Sequence, residues 1–194
     1  MRAVAIALGC LAAVTTITPV LAGGQSQLGD PKASAEQVFW GQLYASGGSS
    51  LYCAKSFDQN HGQLMPSPVY PSKQIKSALR CVTEAQCLAA NPQYPYMLAD
   101  LHNLYPELTR VELARRSAQF GNLGADVPSK LEAIGCDLKS SFQLVEPRDA
   151  AKGNVARAIF YMHIEYGLPI VGHLQMFKQW HQIDPPDAEE QARN

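Results

Sequence analysis

The clearest hydrophobic pattern in the chain lies in residues 149–166, where apolar positions recur at the spacing of one helix face. The positions, separated by four, three and four residues, are Val155, Ile159, Met162 and Tyr166. This spacing places side chains on one side of an α-helix. Gly167 follows directly and is suited to the residue that ends a helix. The pattern therefore predicts the main core helix of the protein.

Shorter patterns predict more helices and few strands. Further helices are predicted over residues 34–43, 73–80, 108–119 and 170–182. In the last of these, Leu174 and Phe177 are expected to be buried. Residues 56–71 contain three prolines and no helical period, which is typical of an extended arm. A short strand is predicted around Gln143. The chain is thus predicted to be a helix-rich α+β protein with one domain over residues 23–194.

The stretch at residues 99–106 places apolar side chains and oxygen donors close together. If its first part is helical, Asp100 and Asn103 stand three residues apart and share a face. Pro106 would end the helix just before it. A carboxylate and an amide on one face could hold a hard divalent cation through oxygen. The alternative, favoured on spacing alone, makes Asp100 a solvated residue and Asn103 a helix cap.

The first 22 residues have the pattern of a secretory signal peptide, with Arg2 before an apolar run and a small-residue cleavage site at Ala22. No apolar run of about 18 residues follows, so a membrane-spanning helix is not expected there.

Cleavage would leave 15 basic against 17 acidic residues, a net charge of −2. A chain of this charge can bind nucleic acid only through a segregated basic patch. The candidate cations are Lys73, Lys76, Arg80, Arg110, Arg115, Arg116 and Arg157. Scattered, solvated charges are the alternative.

Four cysteines remain after the signal segment, and an even number in an exported protein favours two disulfides. Three pairings are possible. The favoured one joins Cys81 to Cys87 across a small loop and leaves Cys53 to pair with Cys136. A zinc site would need closely spaced cysteine pairs or histidine partners, which the sequence does not offer.

Several spaced motifs resemble the bacterial endonuclease I family of periplasmic and secreted DNases. They are DLHNLYP from Asp100, VELAR from Val111, the pair Glu146-Pro147, and KGNVARAIFYM from Lys152. The resemblance extends over about residues 51–194. It implies a ββα-metal (His-Me finger) fold, in which a strand histidine is the base, a neighbouring glutamate binds the metal, and a helix asparagine completes the ligands. Asn103 matches that asparagine and Arg115 matches a nearby family arginine.

The glutamate-histidine pair of the family falls on Ser67 and Pro68, so both expected chemical groups are missing. By resemblance the chain would be a metal-dependent, non-specific endonuclease of DNA or RNA, periplasmic or secreted, using a divalent metal such as Mg²⁺. The protein is expected to be a monomer. A rebuilt site would draw on Asp100 as the carboxylate and His61 as the base. By the same resemblance, the chain is expected to lack a C-terminal tail that the family carries past the position of residue 194. The alternative is a degenerate member that binds nucleic acid or an envelope partner and cuts nothing, and the residues favour it.

Overall fold

The computed structural model describes residues 24–59, 62–191 and 193. The signal segment predicted at residues 1–22 lies outside the described residues. So does His61, the base proposed for a rebuilt site.

The described strands form three small sheets. Their bounds are β1 Gly48–Ser49, β2 Ser56–Phe57, β3 Leu64–Pro68, β4 Leu104–Leu108, β5 Gln119–Phe120, β6 Leu138–Ser141 and β7 Leu144–Pro147. The pairs β1–β2 and β3–β4 are antiparallel, and in the third sheet β7 lies between parallel β5 and antiparallel β6. Two-stranded sheets contain only edge strands, which tolerate proline, and β3 carries both Pro66 and Pro68.

Helices make up most of the remaining regular structure. The α-helices are α1 Pro31–Ala33, α2 Ser72–Ala78, α3 Glu84–Ala90, α4 Tyr94–Ala99, α5 Thr109–Arg115, α6 Lys152–Tyr166, α7 Leu174–Ile183 and α8 Ala188–Gln191. A π-helix, Ser34–Leu43, continues α1, and two 3-10 turns lie at Glu132–Ile134 and Asp149–Ala151. The chain is therefore α+β with many helices, as the sequence predicts.

The core is built around α6, which packs against α7. All four positions of the predicted α6 face are buried, and Gly167 ends the helix with a left-handed φ of 66°. In α7 the prediction is confirmed for Phe177 and wrong for Leu174, which is 41% exposed. Leu174 is the first residue of α7, and the buried face is formed further along by Met176, Phe177 and Trp180.

Both predicted disulfides form. Cys53 pairs with Cys136 across 83 residues, and Cys81 pairs with Cys87 across six. Cross-links act mainly by restricting the unfolded chain, and the longer loop loses more freedom. Cys53–Cys136 is thus the more important of the two for stability.

The helix expected to begin the stretch at residues 99–106 ends earlier than its pattern suggests. The last residue of α4 is Ala99, and Asp100 is its extended C-cap. A turn follows, in which Asn103 N donates to Asp100 O (3.1 Å), and β4 begins at Leu104. Asp100 and Asn103 therefore do not share a helix face. The cause is long-range, because pairing of β4 with β3 takes precedence over local helical preference.

Candidate functional site

Strands β3 and β4 and helix α5 form one packed unit, since α5 follows β4 directly and contacts both strands. On β3, Ser67 lies opposite Tyr105 and is buried. Its Oγ donates a hydrogen bond to Glu112 Oε2 on α5 (2.5 Å). The Ser67 hydroxyl is therefore held by a carboxylate of the neighbouring helix.

Arg115, at the end of α5, joins the same helix to β3. Its Nε and Nη2 donate to the Glu112 carboxylate at 3.1 and 3.3 Å, and Nη2 also donates to Pro68 O at 2.5 Å. The guanidinium lies 5.6 and 5.5 Å from the ring centroids of Tyr52 and Phe120. Its side chain is fully buried, so the ion pair with Glu112 compensates a charge removed from water. Sequence reasoning missed Glu112, although its position three residues before Arg115 on a helix was a usable signal.

The Asn103 side chain is buried and bound to the backbone of one residue. Its Oδ1 accepts from Tyr70 N (2.7 Å) and its Nδ2 donates to Tyr70 O (3.0 Å). The amide thus fixes the chain leaving β3 against the turn that precedes β4. Asn103 therefore has a structural role in the packing of this turn.

Asn103 and Pro68 both line a cavity of about 380 Å³, which we call the proline groove. Its lining residues are Pro31, Lys32, Ala35, Pro66, Pro68, Tyr70, Ser72, Ile75, Leu98, Asn103 and Leu104. The described residues of this lining include no carboxylate, imidazole or thiol. The groove is therefore mainly apolar at the place where the predicted metal ligand and base would meet.

Asp100 does not belong to the described lining of the proline groove. Its Oδ2 accepts from the hydroxyls of Tyr166 (2.6 Å) and Tyr161 (3.0 Å). Its Oδ1 accepts from His102 N (2.9 Å) and lies 3.3 Å from His102 Nδ1. Burial raises the pKa of Asp100, but the hydrogen bonds from His102 and Tyr166 outweigh it, so this pKa lies below its usual value. The carboxylate connects the turn to α6 and has four polar neighbours, which fill its lone-pair sites.

A second cavity, of about 530 Å³, is lined in part by Arg115, and we call it the cationic cleft. It is enclosed by α2, the end of α5, the segment at residues 130–131 and the β6–β7 hairpin. Its charged lining residues are Lys73, Arg115, Arg116 and Lys130, with no Asp or Glu among the described residues that line it. Of these, Lys73, Arg116 and Lys130 are exposed. Lys130 was not predicted, because it lies in a segment without a periodic pattern.

The other predicted cations lie apart from this cleft. Lys76 and Arg80 are not among its described lining residues, and Arg110 lines a separate cavity beside β2. Arg157 forms an ion pair with Glu190 and donates Nε to it at 2.7 Å. The predicted basic patch is therefore divided, and the structure brings together three of its members, Lys73, Arg115 and Arg116.

Comparison with protein families gives a match to the family model described as Endonuclease I over residues 41–194. The chain belongs to the endonuclease I family. The resemblance predicted from the motifs is thus confirmed over most of the chain.

Three relatives of this endonuclease I family member show the range of the similarity. An extracellular ribonuclease of Bacillus amyloliquefaciens is 33% identical, in a match that covers 49% of this chain and 37% of that protein. Endonuclease-1 of Buchnera aphidicola subsp. Acyrthosiphon pisum is 31% identical, in a match that covers 48% of this chain and 37% of that protein. A periplasmic deoxyribonuclease of Aeromonas hydrophila is 25% identical, in a match that covers 79% of this chain and 75% of that protein. The match spans less than two-fifths of the first two proteins.

Family membership suggests a nuclease that depends on a divalent metal, but the residues of this member do not fit such an ion. Divalent cations in proteins normally take at least one carboxylate and several oxygen ligands. The proline groove offers the amide of Asn103, which the Tyr70 backbone already binds. Within residues 24–59, 62–191 and 193, no three side chains of His, Cys, Asp and Glu come together in a metal-binding group.

Among the described helices, none is long and apolar enough to cross a membrane.

Proposed function

We propose that this member of the endonuclease I family binds nucleic acid in the cationic cleft and does not hydrolyse it by the metal-dependent route of the family. One observation carries the proposal. At the two positions that the resemblance assigns to the catalytic pair, Ser67 is hydrogen-bonded to Glu112, and Pro68 lines an apolar groove.

The binding part of the proposal is supported by charge. Phosphate groups dominate the affinity of proteins for nucleic acid, and lysine and arginine neutralise them. The cationic cleft gathers the exposed cations Lys73, Arg116 and Lys130 in a chain whose total charge is −1. The fourth lining cation, Arg115, is buried and paired with Glu112. The relatives include proteins named ribonuclease and deoxyribonuclease, so both RNA and DNA are candidate ligands.

The loss of hydrolysis is supported by the chemistry of the missing groups. Attack by water on a phosphodiester needs a base and a charge that stabilises the leaving oxygen. Pro68 has no group that accepts a proton, and the carboxylate nearest to Ser67 is paired with Arg115. The rival hypothesis, a Mg²⁺ site rebuilt from Asp100 and Asn103, requires side chains whose polar atoms are already bound to other groups.

We place the protein in the periplasm or outside the cell. The signal-peptide pattern at residues 1–22, the two disulfides and the relatives named as periplasmic or extracellular support this location. Disulfides persist in such oxidising compartments.

The test uses the oxidised protein from residue 23 onwards, with plasmid DNA and with RNA, in Mg²⁺ and in chelator. We expect the protein to retain both polynucleotides, and to retain them less well as the salt concentration rises. We expect no cutting that depends on Mg²⁺. Chelator-sensitive cutting by the unmodified protein would contradict the proposal. The matched variant is Ser67→Glu/Pro68→His. Cutting by this variant alone would show that the loss of the pair accounts for the loss of hydrolysis.

A further inference from the structure

The tip of the β6–β7 hairpin carries the most exposed large apolar side chain described in the structure. Phe142 is 97% exposed. Phe142 and Gln143 connect Ser141 to Leu144, which face each other across the hairpin. Phe142 has a φ of 51°, in the left-handed region where glycine or asparagine is usual in such turns. Neither burial nor backbone preference therefore accounts for a phenylalanine at this position.

The surroundings of Phe142 suggest what the ring contacts. It lines the cationic cleft together with the exposed cations Lys73, Arg116 and Lys130. Leu144, which is partly exposed, extends the apolar surface beside it. An aromatic ring next to cations is the arrangement that proteins use for single-stranded nucleic acid, in which the cations follow the phosphates and the ring stacks on a base.

We infer that Phe142 stacks on an unpaired base, so that the cationic cleft prefers single-stranded DNA or RNA to a duplex. The inference rests on the proposed function, because it specifies the ligand of the same cleft. In a duplex both faces of each base are covered by its neighbours, and the Phe142 ring has no base face to contact unless the stack is opened. A single strand presents such a face at little cost.

Other exposed apolar side chains provide a matched control. Ile164, on α6, is 63% exposed and is not among the described residues that line the cationic cleft. Truncation of Phe142 or Ile164 to alanine removes a solvent-exposed apolar group in either case. The two truncations differ in their position relative to the cleft.

The test measures fluorescence anisotropy of a labelled 12-nucleotide strand and of the corresponding duplex, at one salt concentration, with the oxidised protein. We expect Phe142→Ala to weaken single-strand binding about ten-fold, the loss of one base–aromatic stack. Phe142→Trp should keep the affinity, and its added indole fluorescence should change on binding. Ile164→Ala should bind like the unmodified protein, and none of the three variants should alter duplex binding.

Three outcomes would overturn the inference. An equal loss of single-strand and duplex affinity in Phe142→Ala would remove the preference for unpaired bases. Unchanged affinity in Phe142→Ala, with single strands still retained by the unmodified protein, would refute stacking and leave the proposed function standing. Failure of the unmodified protein to bind either ligand at low salt would refute the proposed function, and the stacking inference with it.

Discussion

The cationic cleft and the proline groove lie in the same part of the molecule and differ in almost every chemical respect. The cleft is lined by four cations and an exposed phenylalanine. The groove is lined mainly by prolines and aliphatic side chains, with the cation Lys32 and an amide that the backbone of Tyr70 already binds. The difference teaches that charge for binding a polynucleotide and groups for cutting it are separable properties. A family motif reports the scaffold, and the chemistry must be established at the site itself.

Arg115 is the residue that links the two regions. It lines the cleft, and its guanidinium also donates to the carbonyl of Pro68, which lines the groove. Through Glu112 it holds Ser67 as well. Breaking this network is therefore the strongest way to disturb both regions at once.

The largest effect is expected from Glu112→Ala. The substitution leaves the buried Arg115 cation without its carboxylate, and the unfolding free energy should fall by about 3–5 kcal/mol. Urea unfolding measures this change. Glu112→Gln is the control, because it keeps one acceptor oxygen at this position and should be less harmful. A loss below about 1 kcal/mol for Glu112→Ala would show that the network does not hold β3 to α5.

The proline groove is tested by Asn103→Ala. The substitution leaves the N–H and C=O of Tyr70 without their partners, and we expect the unfolding free energy to fall by about 2–4 kcal/mol. Affinity for nucleic acid should stay the same. The control is Asn91→Ala, which removes a single hydrogen bond from Gln93 N. Unchanged stability together with lost affinity would assign Asn103 to ligand binding and contradict its packing role.

The cationic cleft is tested by the triple variant Lys73→Gln/Arg116→Gln/Lys130→Gln. Its affinity for single strands should fall about 100-fold, and the salt dependence of log K should become shallower by about 2, or about 0.7 per lost phosphate contact. The control removes three cations that do not belong to the described cleft lining, Lys76→Gln/Arg80→Gln/Arg110→Gln. Equal losses in the two triple variants would mean that net charge matters and the cleft does not.

The smallest effect is expected from Asp100→Asn, which we estimate to lower the unfolding free energy by about 1 kcal/mol at pH 7. Because the folded pKa of Asp100 lies below its usual 3.8, its ionised form stabilises the protein above that value. This contribution is lost as the pH falls from 3.8 towards the lower folded pKa. Thermal unfolding between pH 6 and 3 should therefore be less pH-dependent in the variant. If the unfolding temperatures of the two proteins changed with pH in parallel, the ionised Asp100 carboxylate would not have this stabilising role.

Local patterns predicted the parts of the fold that depend on local chemistry. The α6 face follows from helical spacing, and the disulfides follow from cysteine number and separation. The turn at Asp100–Asn103 could not be predicted in this way, because β4 forms by pairing with the distant strand β3. The partners nearest in sequence, Pro68 and Leu104, are 36 residues apart.

The candidate site shows the same limit. Asn103 and Arg115 were identified through the family motif, yet their bonding to Tyr70 and Glu112 is set by tertiary packing. The cationic cleft escaped prediction in part because Lys130 lies in a segment without a periodic signal. The strand predicted around Gln143 is also wrong for Phe142 and Gln143, which form the turn between β6 and β7. Lys130 and Phe142 meet Arg116 only when the β6–β7 hairpin folds against α2 and α5.

The most direct test of the central claim is to follow one labelled polynucleotide through binding and through cleavage in the same sample of unmodified protein, with Mg²⁺ present. We predict that the protein retains the polynucleotide at low salt, releases it at high salt, and returns it at full length. Shortened product that forms with Mg²⁺ and does not form when chelator is present would contradict the account.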